Sequence, residues 1–166
     1  MTPGAEEIVA AIRQWQAELA PPLVVAIDGY GASGKTTITA DVAAELDALT
    51  VHTDDYYEDH GRLGLPYPHP MAQYYHWETL RRECLQPAID DGVPLILVEG
   101  VSSAAPALAD LTGRAVFVDT PEPVRLQRLH GRIADEEWDE DWLRAERVYF
   151  ASRPPQSFDL VVSGTT

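Results

Sequence analysis

A three-layer α/β fold, with a central parallel sheet and helices on both faces, is the fold class this sequence predicts. Short apolar runs alternate along the chain with segments of helical spacing, the pattern of strands joined by crossover helices. The runs are apolar at consecutive positions, as strands covered on both faces are. The residues of unusual chemistry (Asp28 onward, Asp54–Asp55, Glu99–Gly100 and Asp119) fall at the carboxyl ends of those runs, where such sheets hold ligands.

Ile8, Val9, Ile12, Trp15 and Leu19 have helical spacing, with Glu6 and Glu7 in the favourable first turn. They predict a helix over residues 5–19 that Pro21 and Pro22 stop. Leu23 to Ile27 reads as a buried strand, followed by glycines and a helical pattern from Lys35 to Leu46. Residues 49–55 predict a short strand ending in carboxylates. Residues 56–70 are rich in Gly, Pro and Tyr and have no period, so they predict a long loop of the kind that carries function. Residues 71–89 predict a helix with Pro87 near its end, 93–100 a strand, 104–111 a short helix, and 114–120 a strand closed by Pro121. Helices over 122–130 and 139–151 and a strand over 158–164 complete the chain. No repeat or linker divides it, so residues 1–166 are expected to be one domain, with 1–20 as an N-terminal helix.

Hydrophobic residues make up 45% of the chain and charged residues 23%, which suits a packed core and argues against wholesale disorder. The formal charge of −15 repels a phosphate backbone, and no basic patch offsets it, so no nucleic-acid partner is expected. No apolar stretch approaches a membrane span, so no membrane association is expected. The single cysteine, Cys84, cannot form an internal disulfide, and no His/Cys pattern has zinc-site spacing. With no leader-like segment at the N-terminus, the expected setting is the cytoplasm.

The strongest motif is Gly29-Tyr30-Gly31-Ala32-Ser33-Gly34-Lys35-Thr36, which fits G-x-x-x-x-G-K-[ST] in full between a strand and a helix. Glycines let the backbone wrap closely, so successive N–H groups point at phosphate oxygens. The following helix adds its unpaired N–H groups and positive dipole end. Lys35 is expected to reach the β- and γ-phosphates, and the Thr36 hydroxyl to bind Mg²⁺. Thr37 joins this set as a nucleotide contact or a helix-surface residue. A guanine-reading N-K-x-D segment cannot exist, because the chain has no asparagine.

IDGYGASGKTT (27–37), TDDYY (53–57), LVEG (97–100) and RLQRLHGR (125–132) together resemble the uridine kinase-like branch of P-loop kinases, which includes phosphoribulokinase- and pantothenate kinase-like proteins. The resemblance covers roughly residues 23–163. It implies a P-loop NTPase fold, ATP and Mg²⁺ as cofactors, and transfer of the γ-phosphate to a hydroxyl. It implies that an Asp just after the second strand is the base, which matches Asp54 with Asp55 beside it. Such a carboxylate takes the proton and fixes the hydroxyl for in-line attack, and it can reach the metal shell. Glu99 is implied near the acceptor or the magnesium shell. A carboxylate after four apolar residues is otherwise costly, unless it caps the next turn. The resemblance places a lid over residues 122–138, whose Arg128 and Arg132 would contact phosphates, with Arg125 less favoured. Salt bridges to the acids of 134–141 are the alternative for these arginines. Asp28 either braces the loop or touches a substrate hydroxyl.

The region 56–78 is dense in aromatic and imidazole groups, suited to a sugar or base ring. Tyr56, Arg62 and His76 are the candidates singled out there; His52 is expected to be packed. The chain is shorter than a uridine kinase in both the acceptor insertion and the lid, so the acceptor alcohol (a nucleoside, a sugar or a vitamin precursor) stays open. Two alternatives remain: a nucleotide kinase, for which only Arg62, Arg81 and Arg82 supply cations, and a nucleotide-binding regulator with little phosphotransfer. The oligomeric state, a homodimer included, is also open.

Overall fold

The computed structural model describes residues 1–57, 74–131 and 136–165, and of residues 136–141 the backbone alone. Strands β1 (Leu23–Asp28), β2 (Leu49–His52), β3 (Leu95–Glu99), β4 (Arg114–Asp119) and β5 (Leu160–Ser163) form one parallel sheet in the order β2-β3-β1-β4-β5. The helices are α1 (Pro3–Glu18), α2 (Lys35–Leu46), α3 (Trp77–Leu80), α4 (Gln86–Asp90), α5 (Glu122–His130) and α6 (Glu136–Ser152). They flank the sheet on both faces, which matches a P-loop NTPase-like architecture.

The two-sided burial read from the sequence is explicit in β1, where every residue is buried. Val24 and Ala26 pack with Ile96, Val98 and Phe117 beneath Leu80, Leu85 and Phe150. Val25 and Ile27 pack on the other face with Leu97, Val116, Ile8 and Ile12. Thr2 caps α1 by accepting from Ala5 N, Pro3 takes the first position where its missing N–H costs nothing, and the apolar stripe Ile8, Val9, Ile12, Trp15 is buried.

Three elements differ from the sequence expectation, each for a physical reason. β2 ends at His52, because its one neighbour β3 ends opposite at Glu99. Thr53–Tyr56 then form a 3-10 turn, so Asp54 and Asp55 sit on a turn and not in a strand. The helix expected over 71–89 starts at Trp77 within the described residues and passes through a π-helical turn, Arg81–Leu85. Pro87 cannot donate the N–H that a regular helix would need there. The helix expected over 104–111 is only a 3-10 turn, Pro106–Leu108, since Ser102 and Ala104 are held in a preceding turn by Asp28. Too few residues remain to nucleate an α-helix.

Among the described residues no helix is long and apolar enough to cross a membrane. The docking of α1 is the most exposed dependency of this frame. Ile12→Ala, which empties a fully buried site between α1 and the sheet, should destabilise the protein by about 2–5 kcal/mol in urea unfolding without changing the shape of the loop at 29–36.

Candidate active site

β1 delivers its last residue, Asp28, into the interior, where it is wholly buried. Its carboxylate accepts from Gly29 N (2.7 Å), Ser102 N (2.8 Å), Ala104 N (3.1 Å) and the Tyr149 hydroxyl (2.8 Å). Burial pushes this carboxyl above its ordinary value, and the donors with Lys35 pull it back. Ser102 adopts φ 61°, which turns its amide toward Asp28. Gly29 has φ 147°, and a Cβ there would lie 2.6 Å from Val118 O, so the backbone passes β4 at a distance only glycine allows.

The loop is clasped from the other side as well. Thr120 Oγ1 donates to Ser33 O (2.8 Å), and Arg128 Nη1 donates to Ala32 O (3.1 Å). Gly34, left-handed at φ 97°, turns the chain into α2. Lys35 is the only lysine in the chain. Its Nζ folds back to donate to Tyr30 O (2.8 Å) and, more weakly, to Ser33 Oγ (3.4 Å). Burial draws its ammonium below the ordinary value, opposed by Glu99, Glu146, Asp28 and Asp54.

A cavity of about 340 Å³ opens at the carboxyl ends of β1, β2 and β3, and Gly31, Lys35, Thr36, Asp54, Glu99 and Trp142 are among its walls. Glu99, nearly buried at the end of β3, accepts from Thr36 Oγ1 (3.0 Å) and from His52 Nδ1 (2.6 Å). Asp54 is exposed yet shares this cavity, and among the described residues it has no ion-pair partner. Desolvation and then Glu99 push its carboxyl above the ordinary value. That repulsion is a deficit of positive charge between two carboxylates. The donor set around it, one hydroxyl and two carboxylates, consists of hard oxygens. Among the described residues no cluster of His, Cys, Asp and Glu could hold a metal by itself. The hard-oxygen donor set fits Mg²⁺, which is held by few protein oxygens together with waters and substrate phosphates.

The structure therefore brings Gly31, Ala32, Lys35, Thr36, Asp54 and Glu99 to one cavity. Ser33, Gly34, Thr37 and Arg128 line an adjoining hollow along the outside of the loop and α2. Tyr30 turns its ring into the protein, beneath the Arg125 guanidinium (4.2 Å) and against Phe150, and contributes its carbonyl to Lys35. Asp28 is committed to the protein's own donors, which is bracing geometry. Asp55 is exposed on the turn. Tyr56 packs against the core, and His76 is exposed at the start of α3; neither lines the cavity. Arg62, Arg132 and the greater part of the 56–70 segment lie outside the described residues. Arg81 is tied to Asp110 and Ala107 O, and Arg82 to Glu83.

Sequence reasoning missed Trp142, Glu146 and Tyr149 here, and named Tyr57 only within the aromatic region 56–78. Tyr57 and Trp142 form aromatic walls of the cavity. Glu146 and Tyr149 reach the phosphate loop and its bracing acid. The spacing of 142, 146, 149 and 150 on one helical face was the available signal. His52 is also more than packing, since it holds Glu99.

Comparison with known proteins bears on the fold. No family model matches the chain. The uridine kinase of Ligilactobacillus salivarius (strain UCC118) is 26% identical over 145 residues, covering 69% of this chain and 68% of that one. A solved structure from Bacillus stearothermophilus, described as a possible uridine kinase, superimposes with a TM-score of 0.68 at 18% identity, covering 95% of this chain and 96% of the other. A sugar kinase from Janibacter sp. HTCC2649 gives 0.61 at 20% identity over 87% and 86%. Shikimate kinase from Acinetobacter baumannii gives 0.52 at 17% over 91% and 88%. The chain shares the fold of these solved kinases.

The Asp54 environment gives a signed expectation. A carboxyl held above its ordinary 3.8 in the fold binds protons more tightly there than in the unfolded chain, so it lowers stability as pH rises from 3.8 through its folded value. Asp54→Asn removes this effect. The variant should melt higher than the parent at neutral pH, and the gain should vanish as pH falls below about 4 in thermal unfolding followed by circular dichroism.

Proposed function

We propose that this protein is an ATP-dependent phosphotransferase that moves the γ-phosphate to the hydroxyl of a small, uncharged alcohol. One observation carries the reading. The lysine and threonine of a complete phosphate loop share a cavity with a carboxylate on the turn after β2 that has no ion-pair partner among the described residues. A loop that only bound nucleotide would have no use for such a carboxylate, and burying it in an ion pair would stabilise the fold.

In this reading Lys35 leaves its loop contacts to hold β- and γ-phosphate oxygens. Thr36 and Glu99 would hold Mg²⁺, with Asp54 within its shell; when bound, the ion neutralises charge on the phosphate oxygens. His52 orients Glu99 for that task, as a partner fixing a ligand's direction. Asp54 accepts the proton of the acceptor hydroxyl. The hydroxyl oxygen forms its bond to the γ-phosphorus while the bond to the bridging oxygen of ADP breaks. Arg128, beside the loop, and Arg132 would offset charge on the transferring group.

The acceptor side favours a neutral compound. Among the described residues its walls include Asp54, Glu99, Tyr57, Val101 and Trp142, and Arg81 and Arg82 are engaged elsewhere. A phosphorylated acceptor would meet carboxylates where it needs cations. Nucleosides, neutral sugars and uncharged vitamin precursors satisfy this condition.

Coupled ADP release across a panel of nucleosides, sugars and vitamin precursors tests the reading. At least one neutral alcohol should stimulate release. Asp54→Asn should lower kcat for that alcohol by about 10²–10⁴-fold, leaving Kd for Mg·ATP within a few-fold. Nucleotide binding with no acceptor-dependent ADP from any member would replace this reading with that of a nucleotide-binding regulator.

A further inference from the structure

Glu146 on α6 is fully buried and has no part in the chemistry described so far. Its Oε1 accepts from Gly31 N at 2.6 Å and from Trp142 Nε1 at 2.8 Å. Its Oε2 is buried with no hydrogen-bond partner among the described residues. A half-satisfied carboxylate in the interior is costly. Burial accordingly pushes this carboxyl above its ordinary value, with Lys35 and Arg125 the cations that oppose the shift.

The contact with the loop is close. A Cβ on residue 31 would lie 2.9 Å from Oε1, so glycine at this position leaves room for the carboxylate. Gly31 and Trp142 are both walls of the cavity that contains Lys35, Thr36 and Asp54. Amides of such a loop take phosphate oxygens. Here one of them is taken by a negative group from the protein itself, and the same oxygen also holds the cavity-wall indole.

Resting on the reading that this loop holds a nucleoside triphosphate, we propose that Glu146 is a positioning residue that occupies the Gly31 amide as a resident anion, yields it to the terminal phosphate, and passes that change to Trp142 in the acceptor wall. One N–H shared between two anions bonds each of them more weakly, and like charges at short range in a partly dry site repel. A diphosphate lacks the group that competes. The exchange therefore reports the presence of a transferable phosphate to the surface that an acceptor must touch.

Calorimetric titration of the parent and Glu146→Gln with Mg·ADP and with Mg²⁺ and a non-hydrolysable ATP analogue tests this. Glutamine keeps an acceptor oxygen for Gly31 and removes the charge. The variant should bind the triphosphate analogue roughly fivefold or more tightly and ADP within about twofold of the parent. A merely structural role would weaken or strengthen both ligands together. Should the variant not fold, ¹⁵N NMR of the parent protein decides: the Gly31 amide and Trp142 indole signals should move together with the triphosphate analogue and stay near their free positions with ADP. Equal affinity changes for both ligands, no change in either, or signals that move equally with ADP would overturn the role of Glu146. A parent protein that binds neither nucleotide would instead overturn the phosphotransfer reading on which it rests.

Discussion

The bond set of Asp28 is the constraint on which the rest of the site depends. One buried carboxylate at the end of β1 joins three separate parts of the chain: the first amide of the phosphate loop, the turn after β3, and a tyrosine of α6. A charge removed from water needs full compensation, and here four donors converge to supply it. Those donors cannot be satisfied unless β1, β3 and α6 are in place together. The acid thus ties the shape of the phosphate loop to completion of the tertiary fold.

The loop shows the same economy on its other edges. Thr120 and Arg128 hold its carbonyls from the β4–α5 side, and Glu146 holds an amide from α6. A loop whose N–H groups must converge on an anion cannot be left to its own entropy, because glycine-rich segments lose the most freedom on ordering. Rigid elements on three sides remove that freedom before any ligand arrives, which is preorganisation in the sense that matters for charge stabilisation.

The acidic groups at this edge of the sheet divide by environment. Asp28 is fully bonded and serves the fold. Glu99 is held by Thr36 and His52 and is directed toward the loop. Asp54 has no ion-pair partner among the described residues and is lifted by desolvation and by Glu99, which suits the proton transfer proposed for it. Three carboxylates at the carboxyl edge of one sheet acquire different chemical characters from the number of donors that reach each.

Legibility followed the range of the interactions. The parallel sheet, the phosphate loop, α2 and α5 could be read from local runs, because two-sided burial and backbone wrapping leave marks within a few consecutive residues. Glu99 could be read because it ends a strand, and Asp54 because it follows one closely, on the turn after β2. The turn at 53–56, the π-helical turn before Pro87, the bracing use of Asp28, and the arrival of Trp142 and Glu146 at the loop could not be assigned from spacing alone. Gly31 and Glu146 are 115 positions apart. No local propensity encodes a hydrogen bond over that distance; it exists only once α6 has packed across the sheet. By itself, then, the chain's order of residues determined a strand–loop–helix with a complete phosphate-loop motif within an α/β frame. Which acids brace it, which face the cavity and which aromatic rings wall it were decided by tertiary packing, since burial and donor count belong to the assembled structure and to no single segment.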